Sequence, residues 1–302
     1  MENLCNICPR NCNVNRDTTL GFCKASNTIK ISKVMQHFFE EPIISGTEEN
    51  GTLKNGSGTI FFSSCNLKCQ YCQNHEISTL SQGKEVSAEG VANIFKQLES
   101  AGVNNINLVT PTHYTLQILE ALKIYKPNIP IVWNTSGYEK ADTIKLLEGY
   151  VDIFLTDLKY YSSEISSKLS LAPNYFIEAS KSILEMRKIV PEDKIENGLM
   201  KKGLIIRHLA LPSYTEDSKK VIEWIYNNLG NQTIVSLMSQ YVPMGNASAH
   251  PEINRKIKPI EYKILVNKLN EYGFSNAFTQ EFESAETIYT PDFNSNDDKF
   301  NY

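Results

Sequence analysis

The chain has 302 residues, 41% of them hydrophobic, and a formal net charge of −4, so it can bury one large core with an appendage and carries no broad nucleic-acid footprint. No run of roughly 18 apolar residues occurs, and the opening M-E-N-L-C-N-I-C lacks the charged-then-apolar pattern of a signal. The expectation is a cytoplasmic protein with neither membrane nor nucleic acid as partner.

All seven cysteines fall between residues 5 and 72, which is not how scattered core cysteines would lie. The first four, Cys5, Cys8, Cys12 and Cys23, can close either an iron–sulfur cubane or a tetrahedral zinc site. A reducing compartment disfavours reading them as disulfides. Four thiolates make a coordinatively complete set, better suited to structure or electron relay than to catalysis. Distance to the second cysteine set decides between those roles. Residues 1 to about 56 read as a separate cysteine-rich segment.

From residue 57 to about 275, short β-branched and aromatic runs alternate with helical patterns. The predicted strands are 59–63, 105–109, 131–134, 153–157, 204–209 and 233–238. Between the first two, Val91, Ile94, Phe95 and Leu98 recur as one buried helix face requires, with Ser87 as N-cap. Further helices are predicted at about 116–125, 141–148, 175–189, 217–229 and 260–272. Six β/α units of this kind imply a parallel sheet covered by helices, either an open doubly wound sheet or a barrel. Residues 276–302 read as a C-terminal tail.

After the first strand comes F-F-S-S-C-N-L-K-C-Q-Y-C-Q-N, a C-x-x-x-C-x-x-C spacing over Cys65, Cys69 and Cys72 with no fourth cysteine nearby. Chance would place such a triple about 0.004 times in this chain. Three thiolates on a cubane leave one iron open, and an open iron can bind a reactant. Polar motifs recur at the ends of the other strands: T-P-T-H, N-T-S-G, D-L-K, R-H and S-Q-Y. In parallel α/β architectures chemistry gathers there, so one polar rim is implied.

The cysteine spacing, with Tyr71 before the last cysteine, resembles that of the radical S-adenosylmethionine enzymes. The opening C-N-I-C-P-R-N-C-N-V-N-R, the segments N-L-V-T-P-T-H-Y and S-L-M-S-Q-Y-V-P, and the late Q-E-F-E-S-A with Y-T-P-D-F are similar to one subgroup, the homologues of pyruvate formate-lyase activating enzyme. The resemblance tips the fold to a partial (β/α)6 barrel. It implies a 4Fe-4S cluster on Cys65, Cys69 and Cys72, with S-adenosylmethionine chelating the open iron and being cleaved reductively to a radical that abstracts hydrogen from a substrate. It also implies an electron donor such as flavodoxin or ferredoxin and, for an activase, a glycyl-radical enzyme as partner.

Residue by residue, the resemblance gives Lys159 of D-L-K a contact to the methionyl carboxylate and Asp157 a share in a monovalent-cation site. Asn134 stands where the family has an aspartate, which puts that cation in doubt. The family's Gly-Gly-Glu, which receives the methionyl amino group, is replaced by Thr110, Pro111, Thr112 and His113, so Thr110 and Thr112 are the expected substitutes. Tyr71 is expected beside the adenine, and Arg207 is expected to touch cofactor or substrate, since a charge in so apolar a strand needs a polar cavity or partner. His208 reads equally as a core histidine, His37 and His250 as surface residues. The stretch from Tyr241 to Pro259 reads as a lid or docking surface. The competing readings are a two-cluster electron-transfer protein, a radical enzyme acting on a small metabolite and a zinc-stabilised interaction protein.

Overall fold

The structure, a computed structural model, describes residues 4–49, 52–53, 55–280, 293 and 300. Among the described residues a ten-stranded sheet runs through nine strands in line: β1 (Ile29–His37), β2 (Ser57–Phe62), β3 (Lys84–Val86), β4 (Ile106–Val109), β5 (Ile131–Thr135), β6 (Ile153–Asp157), β7 (Leu199–Leu209), β8 (Ile234–Met238) and β9 (Ala277–Thr279). Their order is β9-β8-β7-β6-β5-β4-β2-β1-β3, with Lys194–Glu196 paired alongside β7. Pairing is parallel from β2 through to β9 and antiparallel where β1 meets β2 and β3. This is the parallel sheet of a partial barrel, and all six predicted strands lie in it.

Helices α1 (Ala88–Ser100), α2 (Thr115–Ile124), α3 (Ala141–Lys145), α4 (Ser163–Ser170), α5 (Tyr175–Ile189), α6 (Thr215–Leu229) and α7 (Pro259–Glu271) cover the sheet. Ser87 caps α1 by accepting from the Gly90 N–H, and the predicted Val91, Ile94, Phe95 and Leu98 are its buried face. No helix among the described residues is long and apolar enough to cross a membrane.

Two features cross the expected segment boundaries. The sheet continues before residue 56, because β1 pairs with β2 and β3. It also continues past 276, because β9 pairs with β8. Most of Q-E-F-E-S-A and of Y-T-P-D-F lies outside the described residues, although Gln280 donates to Gln240 Oε1 at 3.1 Å and the ring of Phe293 stands 5.4 Å from that of Phe61.

Strand alternation decides what faces inward. Val132, Ile153, Leu155, Ile205 and Ile234 form one apolar cluster with Ile44, which arrives on the short helical turn Pro42–Ser45. Two residues further along the same faces stand Asn134, Asp157 and Arg207. The register sets Arg207 beside Asp157 on one side and Ser236 on the other. The inner face is therefore apolar at its base and polar at the C-terminal strand ends.

Candidate active site

Those strand ends open into a cavity of about 250 Å³ whose lining includes Cys65, Cys69, Tyr71, Cys72, Thr110, Asn134, Asp157, Lys159 and Arg207. Nine of the ten residues expected at the catalytic site thus meet in one place. Thr112 does not line it.

The cysteine loop begins at Ser64, whose φ of 76° is in the left-handed region, and is anchored when the Ser64 N–H donates to Ile77 O at 2.7 Å. Helix α4 holds its far side: Gln70 N–H donates to Leu169 O at 2.8 Å and Lys68 N–H to Ser170 O at 3.3 Å. Each sulfur has a polar neighbour. Leu67 N–H donates to Cys65 Sγ at 3.4 Å, Ser170 Oγ to Cys69 Sγ at 3.0 Å, and Cys72 Sγ lies 3.3 Å from Ser78 Oγ. Hydrogen bonds to sulfur tune a cluster's potential. Burial pushes the Cys65 thiol up to about 12, and burial pushes Cys69 up to about 11 despite the Lys159 charge beside it.

Among the described residues no three His, Cys, Asp or Glu side chains stand close enough to grip a single metal ion. Cys65, Cys69 and Cys72 all line the one cavity and supply the all-thiolate donor set that an iron–sulfur cluster takes. The Tyr71 hydroxyl is 2.6 Å from that of Tyr160, which is itself 2.7 Å from Ser170 Oγ, while the Tyr71 ring meets Tyr241 edge-on. What Tyr71 offers the cavity is backbone and ring.

Lys159 Nζ lies 2.5 Å from Asp157 Oδ2. Burial opposes its charge, but Asp157 and the neighbouring sulfurs of Cys69 and Cys72 outweigh that and hold its pKa above the ordinary lysine value. The loop is set by Gly137, at φ 78°, where a Cβ would come within 2.2 Å of Asp157 O. Only glycine lets N-T-S-G pack this closely on D-L-K.

Thr110 closes β4 with φ 59°, a left-handed conformation that is strained for a β-branched residue by roughly 1–3 kcal/mol. Its N–H donates to Asn134 O at 2.9 Å, which fixes that turn at the cavity wall. Thr112, by contrast, is buried and donates to Glu139 Oε1 at 2.9 Å. The short 3-10 turn Thr112–Tyr114 rotates it away from the cavity. Glu139 also accepts from Thr135 Oγ1 at 2.7 Å and Trp133 Nε1 at 3.0 Å, and burial raises its pKa. A buried carboxyl thus backs both T-P-T and N-T-S-G, with no contact to the cavity.

Arg207 faces inward as expected, but two acids already hold it. Its Nε donates to Glu41 Oε1 at 2.8 Å and its Nη2 to Glu41 Oε2 at 2.6 Å, with Glu40 Oε2 as a further partner of Nη2. Glu40 also accepts from Asn107 Nδ2 at 2.7 Å and Asn134 Nδ2 at 3.5 Å. Asn134 therefore turns to a carboxylate. Nothing in the local sequence of Glu40 and Glu41 marks them, because their partners are more than 60 residues away.

His37 ends β1 buried at the cavity wall, contrary to its surface reading. His208 is a core histidine, its Nδ1 2.7 Å from Leu158 O. Helix α4, with Ser170, escaped prediction because serines at 163, 166, 167 and 170 mask its helical pattern. Ser162 as N-cap with Ile165 and Leu169 four apart was the available signal.

The profile of the Radical SAM superfamily matches residues 59–225, more than half of the chain. The uncharacterized protein MJ0674 of Methanocaldococcus jannaschii is 32% identical over 279 residues, covering 89% of this chain and 75% of its own. The pyruvate formate-lyase-activating enzyme of Clostridium pasteurianum is 24% identical over 231 residues, covering 70% of this chain and 88% of its own. Among solved structures, Streptococcus suis SuiB bound to S-adenosylmethionine is 16% identical with a TM-score of 0.48, covering 72% of this chain. The chain matches about half of SuiB's length, 48%. With the three-cysteine loop at the C-terminal edge of a parallel sheet and the profile running from β2 into α6, the chain belongs to the radical SAM superfamily.

Proposed function

We propose that this protein is a radical S-adenosylmethionine enzyme that cleaves its cofactor reductively and takes hydrogen from a substrate at the barrel mouth. The observation that carries the reading is the meeting of Cys65, Cys69 and Cys72 with Lys159 and Asp157 in one cavity. A bound 4Fe-4S cluster would supply the electron and the open iron, and Cys65, Cys69 and Cys72 would hold it. In this reading Lys159 would receive a carboxylate, and the strained Thr110 turn would offer backbone and hydroxyl to an amino group. Asp157 keeps the ammonium of Lys159 charged and aimed. We further propose a monovalent cation beside Asp157, a reducing cytoplasmic setting and a flavodoxin- or ferredoxin-type electron donor.

For the substrate we favour a glycine in a partner protein. The name of the 24% identical relative, a pyruvate formate-lyase-activating enzyme, supports an activase. A small-metabolite reading draws on a different observation. The segment expected as lid or dock is tied to the cysteine loop and to itself: Asn246 N–H donates to Gln70 O at 2.7 Å, and Tyr241 Oη to Ile253 O at 2.8 Å. The test is anaerobic reconstitution with S-adenosylmethionine and reductant, followed by isotope analysis of 5′-deoxyadenosine. Deuterium arriving from a glycine-labelled co-encoded protein, with a glycyl radical left behind, is the expected result. Deuterium arriving only from a metabolite would exclude the activase.

Lys159→Ala is expected to weaken S-adenosylmethionine binding by about 1.5–3 kcal/mol, roughly ten- to hundredfold in Kd, while the visible spectrum of the cluster persists. Equilibrium binding to the reconstituted variant reads this directly. Unchanged affinity would remove Lys159 from the cofactor site.

A further inference from the structure

The inner end of the cavity is built by a segment that no motif marks. Strand β1 runs antiparallel to β2, and its last residue, His37, pairs with Ser57 at the start of β2. The cysteine loop leaves the opposite end of β2, after Phe62. The six residues of β2 put roughly 16 Å between those ends. His37, Glu40 and the three cysteines nevertheless line one cavity, so it runs inward from the sulfurs.

This inner end holds polar atoms that no described residue satisfies. His37 is 8% exposed, its ring set edge-on to those of Phe39 and Phe61, and among the described residues neither ring nitrogen has a hydrogen-bond partner. Neither nitrogen is sealed in protein. Arg207 uses Nε and Nη2 on Glu40 and Glu41, which leaves Nη1 without a partner among the described residues. Asn134 turns Nδ2 to Glu40 and leaves its Oδ1 in the same condition. Polar groups buried to this degree are seldom left unmatched, so three side chains of one cavity await a ligand.

Charge sorts the ligands. Glu40 and Glu41 share the one guanidinium, and Lys159 is matched by Asp157, so three carboxylates stand against two cations. Burial, opposed by Glu40 and aided by the Arg207 charge, lowers the His37 pKa, and the ring adds no charge at neutral pH. A carboxylate or phosphate brought here would face the excess negative charge. An ammonium would face the open edge of the guanidinium. An uncharged amide meets neither obstacle: its C=O can accept from Arg207 Nη1, and its N–H can donate to Asn134 Oδ1 or to the imidazole. Phe61, Leu209 and Met238 supply apolar wall for the carbons beside it.

We propose that His37, Glu40, Asn134 and Arg207 form a substrate subsite for an uncharged amide, such as the backbone of an extended peptide, and that Glu40 excludes anionic substrates. The proposal rests on the radical-enzyme reading above, since it describes that enzyme's substrate.

Three small probes of matched shape test it: N-acetylglycinamide, which is neutral, N-acetylglycine, which is an anion, and glycinamide, which is a cation. Each is titrated by saturation-transfer NMR into the full chain with its cluster loaded and oxidised, so that nothing turns over, and with S-adenosylmethionine present to occupy Lys159. N-Acetylglycinamide is expected to bind about tenfold more tightly than either charged probe. Equal binding of all three, or preference for a charged one, overturns the proposal. In Glu40→Gln, N-acetylglycine is expected to gain about tenfold and so to match the neutral probe; an unchanged order removes Glu40 as the anion filter. His37→Phe keeps the ring packing but no ring nitrogen, and is expected to weaken N-acetylglycinamide about fivefold at an unchanged urea midpoint. Unchanged affinity there removes His37 from the subsite. If S-adenosylmethionine itself fails to bind, the radical-enzyme reading falls and the subsite with it; if it binds while the probes show no order, only the subsite falls.

Discussion

The Cys69→Ala variant is expected to form no 5′-deoxyadenosine above background when supplied with S-adenosylmethionine and reductant. Cys69 stands between Cys65 and Cys72 in the loop, and its sulfur takes the Ser170 hydroxyl at 3.0 Å. A cubane left with two protein thiolates loses iron or its geometry, so no open site remains to seat the cofactor. Product analysis by mass spectrometry, alongside an iron count, gives the answer. Normal 5′-deoxyadenosine from this variant would remove the loop from catalysis. Because Ser170 and Tyr160 extend the contact, the variant's fold should survive; a lost near-ultraviolet dichroism spectrum would point to structure instead.

A second large effect is expected on stability. Arg207→Met should destabilise the metal-free protein by about 3–5 kcal/mol, because it leaves the buried Glu40 and Glu41 side by side without their cation. The pH dependence carries the sign. Burial alone would raise the Glu41 pKa, but the charge and hydrogen bonds of Arg207 more than offset this and hold it below the ordinary carboxylate range. In the wild type this contribution is present above the ordinary glutamate value and is lost as pH falls through the depressed one. In the variant only the Ser236 and backbone hydrogen bonds still oppose burial, the largest influence, so the Glu41 pKa is expected to rise, and stability to fall as pH rises through that range. Urea midpoints measured between acid and neutral pH should therefore diverge, with the variant closest to wild type in acid. Parallel curves would mean that the two carboxylates find another partner.

What could be read from the sequence, and what could not, follows from the reach of each interaction. Asp157 was legible because I-F-L-T-D is a buried strand that ends on a polar residue, and its observed limits match those predicted. Ser87 was legible because capping is local. Strand β1 was missed: its register shifts between Ile31 and Lys33, and the bulge breaks the two-residue alternation that would have marked it. Missing β1 also hid His37 and the Glu40–Glu41 pair behind it. Thr112 was placed at the cavity because it occupies a motif position, yet a motif does not say which way a residue on a 3-10 turn points. Glu139, its true partner, lies 27 residues on in another loop.

The bond between Asn246 and Gln70 joins residues 176 apart in the chain. At a synthesis rate of 5–20 residues per second, Gln70 leaves the ribosome roughly 10–30 seconds before its partner exists. Arg207 likewise follows Glu40 by 167 residues. During that interval the cysteine loop has neither its cover nor, below the strand ends, the arginine that neutralises the acids. Its earliest support is the N-terminal segment, made first, whose Arg10 Nε donates to Asn66 O at 2.8 Å. Thiols exposed for so long are open to the wrong metal or to oxidation, so insertion of the correct group is a timed event that competes with the completion of folding.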